Sequence, residues 1–246
     1  MPKQEGIYTV AKTLQLLELM LQHNGTLTVN QIADQLQCSV SSATRFLQTL
    51  QKEGYVNKNR LSGHYELTYK LYYLGSRMVA NDRVVEKLLP LAHDVSQRYN
   101  VSVNINTMLG KDAILLFPVT KFYNKDLDFY NGQTAPVYCT SSGKAILSQL
   151  PEEELDRYFQ DVQLRPYQNR TYTEESVREE LRRAKECGYA ICQEEYVSGV
   201  FSISFPVRDL NDHKYAFTLI MPMNRKKDIY KPDVIIEIQS MLNRIF

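Results

Sequence analysis

The sequence predicts an α+β protein in two parts: a small helical unit closed by a β-hairpin, then a larger unit with a twisted, mainly antiparallel sheet flanked by helices. Three observations predict it. Residues 28–53 carry two helical apolar patterns separated by a polar break. Residues 54–67 read as two extended runs around a basic turn. Strand-like runs at 101–119 and 189–221 stand among helical stripes in the remainder.

A chain of 246 residues exceeds one small helical unit and suggests two domains. It is 43% hydrophobic and 23% charged, enough apolar content for a real core. The net charge of +1 excludes a generic polyanion binder, so any nucleic-acid affinity must come from a local patch. Neither a secretory h-region nor a run of about 18 apolar residues is found. The four cysteines (38, 139, 187 and 192) form no C-x-x-C pair. A reducing cytoplasm without disulfides, membrane contact or cofactor is expected.

After a loose start over residues 1–8, Thr9 is read as the cap of a helix with the stripe Val10, Leu14, Leu17 and Leu21. Leu16, Leu19 and Met20 widen that stripe, which suggests a second buried surface such as a partner subunit. His23-Asn24-Gly25 ends the helix. Thr28 then caps Val29, Ile32, Ala33 and Leu36; Ser39 caps a second helix whose buried face is Val40, Ala43, Leu47 and Leu50.

The opposite face of that second helix carries Ser41, Ser42, Thr44, Arg45, Gln48 and Lys52, with no acid before Glu53. Arginine forks onto guanine, glutamine onto adenine, and hydroxyls serve phosphates or bases. A helix built only for a protein surface would more often mix Glu with Lys at i,i+4. The pair alone also suits many helical domains. The following residues favour DNA: Tyr55-Val56 and Tyr65-Glu66-Leu67 flank the polar turn 57–64, with cations at its tip. Residues 38–65 hold Arg45, Lys52, Lys58 and Arg60 against Glu53 alone. This is the winged helix-turn-helix arrangement, with Thr28, Ser39, the polar helix face, Lys58, Arg60 and His64 as its expected contacts to double-stranded DNA.

The expected divisions are 1–67 for the DNA-binding part, 68–83 for a linker helix, and 84–246 for the second domain. The connector, about 67–85, presents Leu71, Leu74 and Met78 with Tyr69, Tyr72 and Tyr73, a composition that favours packing over ligand binding. A helical stripe at Val84, Leu88, Leu91 and Val95 follows, with Pro90 as a kink or boundary. Strands are expected at 101–108 and 113–119, mixed strand and loop at 120–134, then a helix starting near Ser141. Helices beginning at Pro151 and Thr173, extended runs at 189–193, 200–207 and 215–221, and a last helix over 232–246 complete the chain.

Several phrases in order resemble the IclR family of bacterial transcription regulators over nearly the whole chain: Thr49 to Val56, Ser142-Gly143-Lys144-Ala145-Ile146-Leu147, Pro151 to Leu155, Leu181 to Tyr189, Glu194-Glu195 with Gly199-Val200, and Pro206-Val207. The resemblance implies an N-terminal winged helix, a C-terminal effector domain with a GAF-like fold, dimers or tetramers on an inverted-repeat operator, and control by a small metabolite, often a carboxylate. Carried over by position, the ligand site comprises Thr140, Ser141, Ser142 and Gly143, with backbone N–H groups of that loop, and Cys192, Ser202, Thr218 and Ile220. Here the family's acid before Glu-Glu is Cys192, its cysteine is Ser202, and one serine is Ile220. A polyhydroxylated or keto acid from sugar catabolism is the expected effector.

The rival is a thiol- or metal-dependent enzyme. Cys139 lies just before a helix start, where a thiolate is favoured, but no histidine among residues 23, 64, 93 and 213 is placed beside it by sequence. Cys139, Cys187 and Cys192 match no zinc spacing. Ser142-Gly143-Lys144 resembles the end of a phosphate loop, but position 138 is Tyr where its first glycine belongs. No catalytic or metal-binding residue is therefore assigned.

Overall fold

The computed structural model describes residues 7–121, 129–168, 170–209 and 213–246. The chain divides into two compact units, one up to Val79 and one from Ala80. The expectation for 1–8 falls largely outside the described residues, as does the middle of 120–134.

In the first unit, helices α1 (Tyr8–Gln22), α2 (Val29–Gln35) and α3 (Val40–Lys52) surround an apolar core. A three-stranded antiparallel sheet of β1 (Thr26–Leu27), β2 (Val56–Lys58) and β3 (Tyr65–Leu67) closes it, in the order β1-β3-β2. Local chemistry sets the boundaries. Thr28 and Gln31 form a reciprocal capping box at α2, and Ser39 caps α3 through Ser42 N–H. Gly25 takes a positive φ of 78° and returns its N–H to Met20 C=O at 2.7 Å.

Two readings of this unit are corrected. Helix α1 begins one residue before Thr9, with Ile7 at its cap and no side-chain cap bond. Its core face is Leu16 and Met20, both 0% exposed, while Val10, Leu14 and Leu21 are exposed. Two apolar stripes run along this helix, and periodicity alone does not say which one turns inward. On α3, Val40 is exposed at the solvent end and Phe46 joins Ala43, Leu47 and Leu50 in the core.

The connector is shorter than expected. Helix α4 (Lys70–Ala80) buries none of its residues, and Tyr69, Tyr72, Tyr73, Leu74 and Met78 are exposed. The expected packing of this stripe is not made within the chain, among the described residues. A new helix, α5 (Arg83–Tyr99), starts because the Asp82 carboxylate accepts Val84 and Val85 N–H at 2.9 and 3.1 Å. It runs through Pro90, which is exposed.

The second unit is built on a six-stranded sheet: β4 (Ser102–Leu109), β5 (Asp112–Val119), β6 (Thr134–Pro136), β7 (Ala190–Gln193), β8 (Val200–Arg208) and β9 (Lys214–Pro222). Its order is β6-β5-β4-β9-β8-β7, antiparallel throughout. A register shift between Ile105 and Asn106 places Asn106 opposite Leu115. Helix α5 packs on β4, β5 and β9. Helix α6 (Ser141–Leu147) packs on β4, β5, β7, β8 and β9, with α8 (Glu174–Cys187) against it. Helices α7 (Glu152–Asp161), α9 (Lys226–Ile229) and α10 (Pro232–Asn243) complete the unit. The short α9 was not anticipated.

One glycine governs the approach of α6. A β-carbon at Gly143 would lie 2.1 Å from the Val137 carbonyl oxygen and 2.2 Å from its Cα. Backbone cannot yield as a side-chain tip can. Gly143→Ala should therefore cost about 1–3 kcal/mol or more in chemical denaturation. At Gly75, which has nothing within 4 Å, the same change should be neutral or stabilise by up to about 1 kcal/mol.

Candidate functional site

Two sets of residues come together, one in each unit. On α3, Ala43, Leu47 and Leu50 anchor one face in the core, which holds Ser41, Arg45 and Gln48 outward in solvent. Arg45 and Gln48 have no side-chain partner among the described residues. The serines are tied together: Ser39 Oγ lies 2.9 Å from both Ser41 Oγ and Ser42 Oγ. Thr44 donates its hydroxyl back to Val40 C=O at 2.8 Å and is half-buried. Thr28 spends its side chain on the α2 capping box.

The hairpin turn is organised by Asn59, a residue sequence reasoning passed over. Its side-chain oxygen accepts Leu61 and Ser62 N–H at 3.0 and 3.2 Å, and its amide donates to Glu66 Oε1 at 3.0 Å. Asn59 N–H to His64 C=O closes the turn at 2.8 Å. This leaves Lys58 and Arg60 exposed, with His64 half-buried beside them. The Asx-type bonding of an asparagine before a glycine-containing turn was the available signal.

The second unit holds a cavity of about 100 Å³ between the sheet and α6. Seven of the eight expected ligand residues line it: Thr140, Ser141, Ser142, Cys192, Ser202, Thr218 and Ile220. Gly143 does not. Its N–H is taken by Thr140 Oγ1 at 3.1 Å, and Lys144 N–H by Thr140 C=O at 3.0 Å, so these two loop amides serve the helix and not a ligand. The wall also contains Asn104, Asn106, Gln133, Thr134 and Tyr196, which sequence reasoning missed. The signal was present in β4: asparagines at positions 104 and 106 share one face of a strand whose other face carries Val103 and Ile105.

A row of hydrogen-bonded side chains crosses this wall. Ser202 Oγ and Ser141 Oγ are 2.7 Å apart, Ser141 Oγ and Ser204 Oγ 2.8 Å, and Ser204 Oγ and Thr218 Oγ1 2.9 Å. Thr218 donates to Asn106 Oδ1 at 3.2 Å. Asn104 is 4% exposed, and its side-chain oxygen has no partner among the described residues. Among the described residues, no lysine, arginine, histidine or acid is part of the lining.

Behind α6 sits a buried ion cluster. Lys144, 2% exposed, lies 2.7 Å from both Glu195 Oε2 and Glu180 Oε2. Arg170 pairs with the same two carboxylates, and Tyr172 O–H donates to Glu195 at 3.1 Å. Lys144 is therefore an internal counter-ion, and the phosphate-loop likeness carries no function. Burial alone would lift the Glu180 carboxyl, but Lys144 and Arg170 outweigh it and hold it below its ordinary value. Burial raises the Cys139 thiol to about 12, so it is protonated at neutral pH and poorly nucleophilic. Among the described residues, no group of three His, Cys, Asp or Glu side chains could hold a metal. No helix among them is long and apolar enough to cross a membrane.

Comparison with known proteins agrees across both units. The profile described as "Bacterial transcriptional regulator IclR C-terminal" matches residues 76–245, and "IclR helix-turn-helix domain" matches residues 9–60. An HTH-type transcriptional regulator of Mycobacterium tuberculosis is 26% identical over 223 residues, covering 89% of this chain and 84% of its own. Among solved structures, a putative transcriptional regulator from Rhodococcus superposes with a TM-score of 0.79 at 22% identity, covering 98% of this chain and 97% of that one. An IclR homolog from Microbacterium hydrocarbonoxydans, solved in complex with 4-hydroxybenzoate, gives a TM-score of 0.77 at 19% identity, with 96% and 95% covered.

Removing Lys144 leaves the buried Glu195 and the half-buried Glu180 with Arg170 as the one cation of the cluster. Lys144→Met should cost on the order of 3–5 kcal/mol in urea denaturation. The depressed Glu180 pKa stabilises the fold above the unfolded carboxylate value, and that contribution is lost as pH falls through the lower folded value. Across that acidic window the variant should lose less melting temperature than the parent protein.

Proposed function

Because this chain belongs to the IclR family of bacterial transcriptional regulators, we propose that it reads an inverted-repeat operator with α3 and answers to a small metabolite held in the cavity of its second unit. The observation that carries the DNA half is the outward row of Ser41, Arg45 and Gln48 on a helix whose other face is locked in the core. In the proposed complex, residues 39–52 lie in the major groove. Arg45 and Gln48 face base edges, and the serines at the start of α3 face phosphates. The hairpin 57–64 brings Lys58 and Arg60 to the backbone or minor groove. A dimer supplies two such heads, and a tetramer four. The exposed stripes on α1 and α4 support self-association, since apolar surface of this kind gains free energy when covered.

The effector half rests on the half-open cavity between the sheet and α6, whose largely apolar wall carries a band of hydroxyls and carboxamides. Its volume, about 100 Å³, suits a skeleton of roughly four to six heavy atoms, judged against an engineered 150 Å³ cavity that holds benzene. The neutral carboxamides and hydroxyls of the wall can hold an organic or sugar acid from catabolism. A relative bound to 4-hydroxybenzoate supports a small-molecule role for this fold. A ligand that prefers one arrangement of the oligomer shifts the balance between arrangements, and operator affinity moves with it.

Arg45→Ala should weaken specific operator binding by about 1–3 kcal/mol and relax sequence preference, read by titration against operator and scrambled duplexes. Unchanged affinity and preference would remove Arg45 from base readout. In the second unit, Ser141→Leu should abolish the metabolite response of operator binding while leaving affinity in the absence of metabolite intact. A normal response from this variant would place the effector elsewhere.

A further inference from the structure

Helix α3 ends in a local stop that is then clamped from outside. Gly54, at a φ of 76°, gives its N–H to Gln51 C=O at 3.0 Å, and Tyr55 N–H reaches Leu50 C=O at 2.8 Å. This Schellman closure serves the last turn and leaves the carbonyls beyond it to other donors. Three of these in succession are taken by two residues at the start of α4. Lys70 Nζ donates to Glu53 C=O at 2.5 Å, Thr68 Oγ1 to Gly54 C=O at 2.6 Å, and Thr68 N–H to Tyr55 C=O at 2.9 Å. The Thr68 hydroxyl also accepts the N–H of Lys70, the first residue of α4, at 3.2 Å. The Lys70 ammonium lies 4.4 Å from the centre of the Tyr55 ring, a cation held at the negative end of α3. One hydroxyl and one ammonium thus join the end of one helix to the start of the next. They matter because α4 has no fully buried side chain to fix its direction.

We propose that Lys70 and Thr68 are positioning residues for operator recognition: they weld α3 to α4, so that the separation of two operator half-sites is read through α4. This rests on the reading of the chain as an inverted-repeat binder. A single half-site is read by Arg45 and Gln48 whatever the direction of α4. Two half-sites demand more, because both α3 helices must enter their grooves at one separation. Helix α4, with Tyr69, Tyr72, Leu74 and Met78 exposed, is the part of the first unit that offers apolar surface to another copy. Adding one base pair moves a half-site by about 3.4 Å and turns it by roughly 34°. A head welded to α4 cannot follow that change, whereas a head loosened at Thr68 and Lys70 can.

The test uses the full-length protein and duplexes that it selects from a random pool, resynthesised with the half-site separation changed by one and two base pairs. The parent should lose about tenfold or more in affinity per base pair added or removed, since the duplex must twist to fit. Lys70→Met keeps the aliphatic stem and removes the donor; Thr68→Val keeps the shape and removes the hydroxyl. Each should cut that penalty to about threefold or less, because the head and not the duplex then gives way. Both should bind an isolated half-site as tightly as the parent and with the same sequence preference. Lys70→Arg, which can donate to Glu53 C=O and stack on Tyr55, should restore the sharp spacing profile. Neither Thr68 nor Lys70 belongs to the buried core of the first unit, so both variants should keep its cooperative melt. Should one melt early, the other carries the test.

A spacing profile unchanged in both Lys70→Met and Thr68→Val would overturn the proposal, as would a parent indifferent to spacing. So would weaker binding of Lys70→Met to the isolated half-site with a salt dependence reduced by about one phosphate, because Lys70 would then be touching DNA itself. Lost sequence preference on the isolated half-site would overturn it too, since the two residues would then hold α3 in shape and not in place. A parent that selects no sequence, or none with two half-sites, would overturn the inverted-repeat reading and this proposal with it.

Discussion

The second unit depends on a lysine that water cannot reach. Lys144 is 2% exposed, and its ammonium is matched by a carboxylate from α8 and another from the loop after β7. An ammonium taken out of water costs several kcal/mol unless opposite charges meet it at contact distance. That requirement pulls α6, α8 and the β7–β8 loop to a single point. Arg170 and Tyr172 hold the carboxylates from the far side, so the cluster of two cations and two anions is neutral and its hydrogen bonds are shared. The same helix carries Ser141 and Ser142 on the cavity wall, and the same loop carries Tyr196. The ion cluster thus fixes the cavity from behind. An apolar cluster of equal volume could match its stability but would leave the depth and rotation of α6 less specified.

The sheet shows the opposite economy on its two faces. Val103, Ile105, Phe217 and Leu219 are fully buried on one side, an ordinary apolar surface. Asn104, Asn106, Ser204 and Thr218 are also buried, on the side that faces α6. Each of these polar groups would destabilise the fold if left unmet, by roughly 1–3 kcal/mol. Thr218 donates to Asn106 Oδ1 and Ser204 donates to Ser141 or Thr218, while the Asn104 oxygen has no partner among the described residues. A sheet that accepts such a cost in the middle of its widest face fits the proposed role of that face as the wall of an effector site.

How far the sequence reveals this architecture depends on the range of the interactions involved. Capping is local, and Thr28, Ser39, Thr173 and Gly188 act where the spacing of hydroxyls and glycine puts them. Strand alternation is local too, so the runs at 101–119 and 189–221 emerge as strands. The choice between two apolar stripes on α1 is not local: Leu16 and Met20 turn inward because α2, α3 and β3 lie on that side. Lys144 meets Glu195 across 51 residues, so a sequence-local reading finds only the nearby Gly143 and an apparent phosphate loop. Gly143 itself lies outside the cavity lining, and the absence of a side chain there lets α6 reach the Val137 backbone. The cavity residues carried over from the family arrive together, whereas Asn104 and Asn106 emerge only when β4 is placed at the centre of the sheet.

The polar face of α3 can be divided by asking which groups are already occupied. Thr44 has turned its proton back to the helix, and Thr28 and Ser39 are held in caps. Ser39 Oγ bonds both Ser41 Oγ and Ser42 Oγ at 2.9 Å, so a phosphate must displace a bond that is already made. In the proposed complex their net contribution is small and independent of sequence, which suits groups that set register. Arg45 and Gln48 give up nothing comparable within the chain, and their forks match guanine and adenine edges. Sequence information then falls to two side chains one helical turn apart, while the caps and the core hold them at a fixed spacing. The unit's modest excess of positive charge fits this division, because a surface that relied on bulk attraction would bind any duplex and lose the distinction its two readers make.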